Sequence, residues 1–178
     1  MTALIVIASI VAAIFLLAAF IKKEYRIERN VLVERPVADV YNYVKYLRNQ
    51  ENFSKWVMQD PTMQKEFRGV DGTVGAVYGW NGNNKVGEGE QEIVGLEENK
   101  KVNIQIRFVR PFKNVAHTPF DLYSDSPGKT RIKWTMIGAN KFPMTLMNLF
   151  IDSLLGKDMQ ESLNNLKKNL EKTIPQTV

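Results

Sequence analysis

From Ala3 to Ile21 the chain runs nineteen residues without a charge: twelve are Ile, Leu, Val or Phe, six are Ala, and one is Ser9. As a helix rising about 1.5 Å per residue this run reaches roughly 28 Å, close to the ~30 Å hydrocarbon core of a bilayer. Each Leu, Ile, Val or Phe near the centre of a spanning helix favours insertion by about 0.3–0.6 kcal/mol, so the twelve together favour it by about 4–7 kcal/mol as an upper bound. A cleaved secretory signal needs a basic leader, a shorter apolar core and a small-x-small cleavage site. Here only Met1 and Thr2 precede the run, and it closes on Phe20-Ile21-Lys22-Lys23. The expectation is a retained transmembrane anchor over residues 1–23, carrying one domain over 24–178. Lys22, Lys23, Arg26 and Arg29 follow the span and no Lys or Arg precedes it. The excess of basic residues on one flank then predicts a cytoplasmic domain.

The roughly 155 residues beyond the anchor suffice for one domain with a full core. The chain has no Cys, which removes thiolate chemistry, disulfides and Cys-based metal sites, and its single histidine, His117, removes a His-pair metal site. The net charge is +5, yet the basic residues are scattered rather than gathered into a stripe, so no nucleic-acid partner is expected. Gly79 to Gly89 lacks the Lys-Ser/Thr and the following helix of a phosphate loop. No cofactor or resident metal is expected.

Tyr25, Ile27, Val31 and Val33 alternate with charged residues and predict a strand ending at Pro36. Val37, Val40, Tyr41, Val44 and Leu47 have helical spacing. A further helical turn is expected around Phe53–Trp56, then a loop through Asp60-Pro61. Six strands are predicted next, over Gln64–Arg68, Ala76–Trp80, Val86–Leu96, Val102–Phe108, Ala116–Tyr123 and Ile132–Met136. Turn signals such as Asn81-Gly82-Asn83-Asn84 separate them. After Lys141 the pattern becomes helical from about Pro143, with a stripe through Met147, Phe150, Ile151, Leu154, Leu155, Met159, Leu163, Leu166 and Leu170, and Gly156 as a point of kinking.

Glu88, Glu90 and Glu92 share one strand face and read as a solvated surface rather than paired acid/base groups. His117 reads as a rim or surface imidazole, and Asp60 as a loop cap.

Order and residues together resemble the SRPBCC superfamily, the START-like or polyketide cyclase/dehydrase group with the helix-grip fold. The resemblance rests on Val33-Glu34-Arg35-Pro36-Val37-Ala38-Asp39-Val40-Tyr41, Trp56, Asp60-Pro61, Gly72-Thr73-Val74-Gly75-Ala76 and Trp80-Asn81-Gly82. Val86-Gly87-Glu88-Gly89, Arg110-Pro111-Phe112, Thr130-Arg131-Ile132-Lys133-Trp134 and Glu161 to Lys167 complete it. Relatives often carry glycine where this chain has Ser162. The resemblance implies an α+β fold in which a curved antiparallel sheet wraps a long C-terminal helix around a cavity. Candidate lining residues are Trp56, Tyr78, Trp80, Gly87, Gly89, Gln91, Ile104, Phe108, Phe120, Trp134, Met136, Met147 and Phe150, with Gly87 and Gly89 leaving space and Gln91 and Tyr78 supplying polarity. The leading functional expectation is a membrane-anchored module that binds a lipid or other apolar small molecule. The alternatives are a cyclase/dehydrase-type enzyme and a protein-interaction module with a vestigial cavity.

Overall fold

The computed structural model describes residues 2–172. Helix α1 (Thr2–Phe20) is long and apolar enough to cross a membrane, and only Ala18 within it is buried. Strand β1 (Glu24–Val33) leads through Pro36 into α2 (Val37–Val44), whose first turn forms as the Asp39 and Val40 amides donate to the Pro36 carbonyl. A 3-10 turn (Leu47–Asn52) and the single-turn α3 (Lys55–Met58) follow. Seven strands come next: β2 (Gln64–Arg68), β3 (Val77–Asn81), β4 (Glu88–Glu97), β5 (Lys101–Arg110), β6 (Asn114–His117), β7 (Phe120–Ser126) and β8 (Lys129–Ala139). A second 3-10 turn (Met144–Leu149) precedes α4 (Ile151–Lys172).

All pairings are antiparallel, in the order β1-β8-β6-β5-β4-β3-β2, with β7 pairing β5 and β8. β6 and β7 occupy one lane between β5 and β8. The expected single strand Ala116–Tyr123 is broken at Thr118-Pro119, because Pro119 has no amide to give the ladder. The lane stays stitched across the break. The Thr118 amide donates to Ile104, the Thr135 amide donates to Pro119, and the Trp134 indole donates to Thr118 Oγ1 at 2.6 Å.

Period-two burial gives the sheet its inner face, including Ile27, Val33, Tyr78, Ile93, Val102, Ile104, Ile132, Trp134 and Met136. Met159, Leu163, Leu166 and Leu170 recur every three or four residues and bury one stripe of α4 against that face. Each such side chain contributes about 1.5–3 kcal/mol on leaving water. Ser162, at the position where relatives often carry glycine, accepts a hydrogen bond from the Lys55 amide at 2.8 Å and so ties α3 to α4.

The helical pattern after Lys141 is two pieces, as a Gly156 break would suggest, but the break lies elsewhere. Residues 144–149 are 3-10, Phe150 interrupts at φ −118°, and α4 runs unbroken through Gly156. Gly156 instead gives room to the Arg29 guanidinium, which lies against its Cα and pairs with Asp152 at 2.9 Å.

The outer face of β4 and β5 carries a charge lattice. Arg107 bridges Glu90 and Glu92, Arg110 pairs with Glu88, and Arg68 reaches Glu90. The three glutamates are therefore a half-exposed surface ladder. At one sheet edge α4 guards β1: Lys167 Nζ donates to the Leu32 carbonyl at 2.7 Å. At the other, β2 exposes Gln64, Lys65, Glu66 and Arg68.

Candidate functional site

The inner face divides into a solid half and a hollow half. In the solid half Phe120 stacks on Trp134 at 4.9 Å, Phe53 meets Phe120 edge-on, and Trp56 closes on Trp134 at 5.9 Å. The hollow half is a cavity of about 130 Å³ between β3, β4, β5, β8, α3 and the first turn of α4. Gln50, Ser54, Trp56, Val57, Met63, Tyr78, Trp80, Val86, Gln91, Ile106, Phe108, Met136 and Leu155 line it. Of the candidate residues, the cavity brings together Trp56, Tyr78, Trp80, Gln91, Phe108 and Met136.

The others lie elsewhere for identifiable reasons. Ile104, Phe120 and Trp134 face inward but sit in the solid half. Met147 and Phe150 belong to the 3-10 segment and its end, point away from the cavity and are exposed. The two glycines do not create the void. Gly89 faces Trp80 across the β3–β4 ladder, and the indole occupies the space a side chain would take: a Cβ there would stand 2.7 Å from both Trp80 Cζ2 and the Arg107 carbonyl oxygen. Gly87 closes the β3–β4 loop at φ +73°, with its Cα turned toward the Arg110 carbonyl. A left-handed conformation tucked against backbone leaves room only for glycine.

The structure adds Gln50, Ser54 and Val57 to the lining, and their spacing of four and three residues is a helical signal. Met63 and Val86 come from loops and carry no periodic signal. Ile106 and Leu155 belong to the apolar strand and helix patterns that the sequence displays.

The lining is mostly apolar and contains no Asp, Glu, Lys, Arg or His. Gln50 and Gln91, both buried, satisfy each other through paired amide hydrogen bonds. The Tyr78 hydroxyl is buried and has no hydrogen-bond partner among the described residues. Loss of water around it, with a smaller push from the Glu51 charge, raises its pKa far above the ordinary 10.0, so it stands as a permanent donor. The adjacent rings keep it rigid: Tyr78 stacks on Trp80, and Trp80 meets Phe108 edge-on at 6.1 Å.

Asp60 caps the loop below the cavity. Its carboxylate accepts from Thr62 Oγ1 at 2.7 Å and from the Asn83 amide at 2.8 Å. His117 is exposed at the end of β6. Among the described residues no cluster of His, Asp and Glu is arranged to hold a metal ion.

A curved antiparallel sheet closed on a long C-terminal helix, with an apolar hollow between them, defines a helix-grip protein. The chain belongs to the polyketide cyclase / dehydrase and lipid transport family, whose model matches residues 24–171, and so to the SRPBCC superfamily. A search of curated proteins returned no match. Several solved structures share the fold. Norcoclaurine synthase from Thalictrum flavum, in complex with dopamine and hydroxybenzaldehyde, superposes with a TM-score of 0.66 at 11% identity, covering 87% of this chain and 91% of its own. The Zhui aromatase/cyclase from Streptomyces sp. R1128 gives 0.65 at 10% identity, over 86% and 97%. Ara h 8.0201 gives 0.62 at 15% identity, over 84% and 99%.

Proposed function

We propose that this protein is a membrane-anchored binding module. Its cavity receives an apolar group, such as one ring or the end of an acyl chain, that carries a single hydrogen-bond acceptor. The observation that carries the reading is the mostly apolar hollow, lined in part by Tyr78, whose hydroxyl is buried without a partner among the described residues. A buried polar group left unpaired costs about 1–3 kcal/mol, so a ligand acceptor brought within reach of this hydroxyl would be favoured. The enclosed volume of about 130 Å³ is near the ~150 Å³ of an engineered cavity that admits benzene. It suits one such group rather than a whole lipid. Small aromatic ligands in the norcoclaurine synthase complex support the same use of this fold.

The cyclase-type alternative asks for an acid/base pair in the cavity. Tyr78 is the only titratable group in the lining, and its raised pKa suits a donor and not a base. Binding is therefore the reading the site favours. α1 would hold the module at a bilayer, with Lys22, Lys23, Arg26 and Arg29 keeping the domain on the cytoplasmic side. A reporter that works only outside the cytoplasm, fused at the C-terminus, is expected to stay silent, and strong activity would reverse this orientation.

Native mass spectrometry of the full chain released from nanodiscs tests the binding reading, with octanoic acid and benzaldehyde as probes. Wild type should retain an adduct of at least one probe. Ile106→Trp, which fills the hollow, should retain none, and Tyr78→Phe should retain several-fold less. A wild type that carries neither probe nor any co-purifying apolar molecule overturns the reading.

A further inference from the structure

One end of the sheet gathers several features. β1, β4 and β6 start there, and β3, β5 and β8 end there. α1 is joined to that end by only Ile21–Lys23. The cavity lies in the same half, lined by Trp80, Val86, Phe108 and Met136 near these strand ends and by Leu155 at the start of α4.

The segment between β8 and α4 meets α1 at this end. Thr145 Oγ1 donates to the Ala18 carbonyl at 2.7 Å, and Ala18 is the one buried residue of α1. Asn148 Nδ2 donates to the carbonyls of Lys22 and Lys23 at 2.8 and 2.9 Å. The Phe142 ring lies 5.7 Å from that of Phe15. Phe15 is five residues before the end of α1, about 8 Å along the helix axis at ~1.5 Å per residue. Phe142 is thus held beside α1 well inside its apolar length.

The rest of this segment is apolar and open. Leu149 and Phe150 are each 62% exposed, Leu154 is 54% and Phe142 is 50%. Asp152, exposed within this stretch, is paired with Arg29, and Lys22, Lys23, Lys141 and Lys157 are exposed around the patch. Apolar residues clustered this way and rimmed by polar, mostly basic residues mark an interaction surface. The patch continues onto the exposed apolar surface of α1, and its basic rim matches anionic headgroups.

We propose that residues 142–154 form a second membrane contact, seated in the boundary between acyl chains and headgroups of the bilayer that α1 crosses. The proposal rests on α1 being a transmembrane anchor. An apolar face at an interface sinks about 5–10 Å, which matches the depth set by the Phe15–Phe142 contact. With two points of attachment the domain cannot swing freely about Ile21–Lys23. The hollow half of the grip is then held against the membrane, and an apolar ligand moves between lipid and cavity without crossing water.

The absence of cysteine makes single-label variants simple to prepare. Ile10→Cys, Leu149→Cys, Phe150→Cys and Val70→Cys would each carry an environment-sensitive nitrobenzoxadiazole label on the full chain, in nanodiscs of phosphatidylcholine and phosphatidylglycerol with and without spin-labelled lipid. Val70 lies in the β2–β3 loop at the opposite end of the sheet. The expected result is blue-shifted emission that loses most of its intensity to spin-labelled lipid at Leu149, Phe150 and Ile10, with aqueous, unquenched emission at Val70. Quenching at Ile10 with aqueous emission at 149 and 150 overturns the second contact and leaves the anchor standing. No quenching at Ile10 removes the anchor, and the proposal with it. A blue shift at 149 and 150 without quenching means that protein covers the patch, and quenching at Val70 means that the domain lies flat; either result overturns the proposal.

Discussion

Gln50 and Gln91 hold each other by both ends of their amides: each donates to the other's side-chain oxygen, at 3.0 and 3.1 Å, across the gap between the first 3-10 turn and β4. The pair places two polar side chains in the cavity wall while leaving neither unpaired, and it ties the irregular segment after α2 to the sheet.

Cutting that tie from one side is predicted to be worse than removing it. Gln50→Leu or Gln91→Leu strands one buried amide and should destabilise the protein by about 1–3 kcal/mol. The double variant, which strands neither amide, should lose less than either single. Urea unfolding of the four proteins in a mild detergent, followed by tryptophan fluorescence, measures the cycle; strict additivity would show that the two amides act independently.

Two neighbouring glycines should respond oppositely to alanine. At Gly89 the new methyl meets the Trp80 ring and the Arg107 backbone, each at 2.7 Å, and overpacking of this kind costs about 1–3 kcal/mol. At Gly79 the nearest atom is Glu66 Cβ at 3.7 Å, so Gly79→Ala should stay within about 0.5 kcal/mol. Near-ultraviolet circular dichroism should register the displaced indole in Gly89→Ala alone. Equal stability of the two variants would disprove the account of Gly89.

Stability should fall in acid. The hydrogen bond from Thr62, and then that from the Asn83 amide, hold Asp60 below its ordinary pKa of 3.8. Arg107 does the same for Glu90, and Arg29 for Asp152. A lowered folded-state pKa gives stability that is complete above the unfolded value and is lost as pH drops through the folded one. Melting temperature is therefore expected to decline below about pH 4. Asp60→Asn, which withdraws the acceptor from the Asn83 amide, should be less stable at neutral pH and show a shallower acid decline; an unchanged slope would remove Asp60 from the explanation.

Much of the fold is legible in the chain because burial follows simple periods. The alternation through Val102, Ile104, Ile106 and Phe108 and the 4-3-4 spacing from Met159 to Leu170 each mark a buried face. The misplacements arise where two periods coincide. Met144, Met147 and Phe150 lie three apart, which over so short a stretch reads equally as α-helix or 3-10; the structure takes the tighter form, and Met147 and Phe150 leave the core stripe. The cavity was less legible than the core. A hollow depends on what its neighbours fail to fill, so Ile104 and Ile106, alike in sequence, fall in its solid and hollow halves. Gln50 and Ser54 carry no apolar signal at all.

Removal of Met1–Lys23 is expected to leave a soluble domain that unfolds cooperatively, since α1 packs chiefly on Phe142 and the 3-10 turn before α4 and the core cluster lies entirely within residues 27–170. Size-exclusion chromatography and thermal unfolding of residues 24–178 check this. A truncated chain that is unfolded even with added lipid would make α1 part of the fold.

The bond from Lys167 to the Leu32 carbonyl has a consequence for chains living side by side. On the anchoring proposed for α1, a bilayer would confine the domain to a plane, where copies meet more often than in bulk and in similar poses. An open strand would then recruit a neighbour's strand, and edge-to-edge growth would follow. On β1 a newcomer must first evict a lysine amine; on β2 it meets Lys65, Glu66 and Arg68. The same helix that closes the grip would therefore also hinder edge pairing between crowded neighbours.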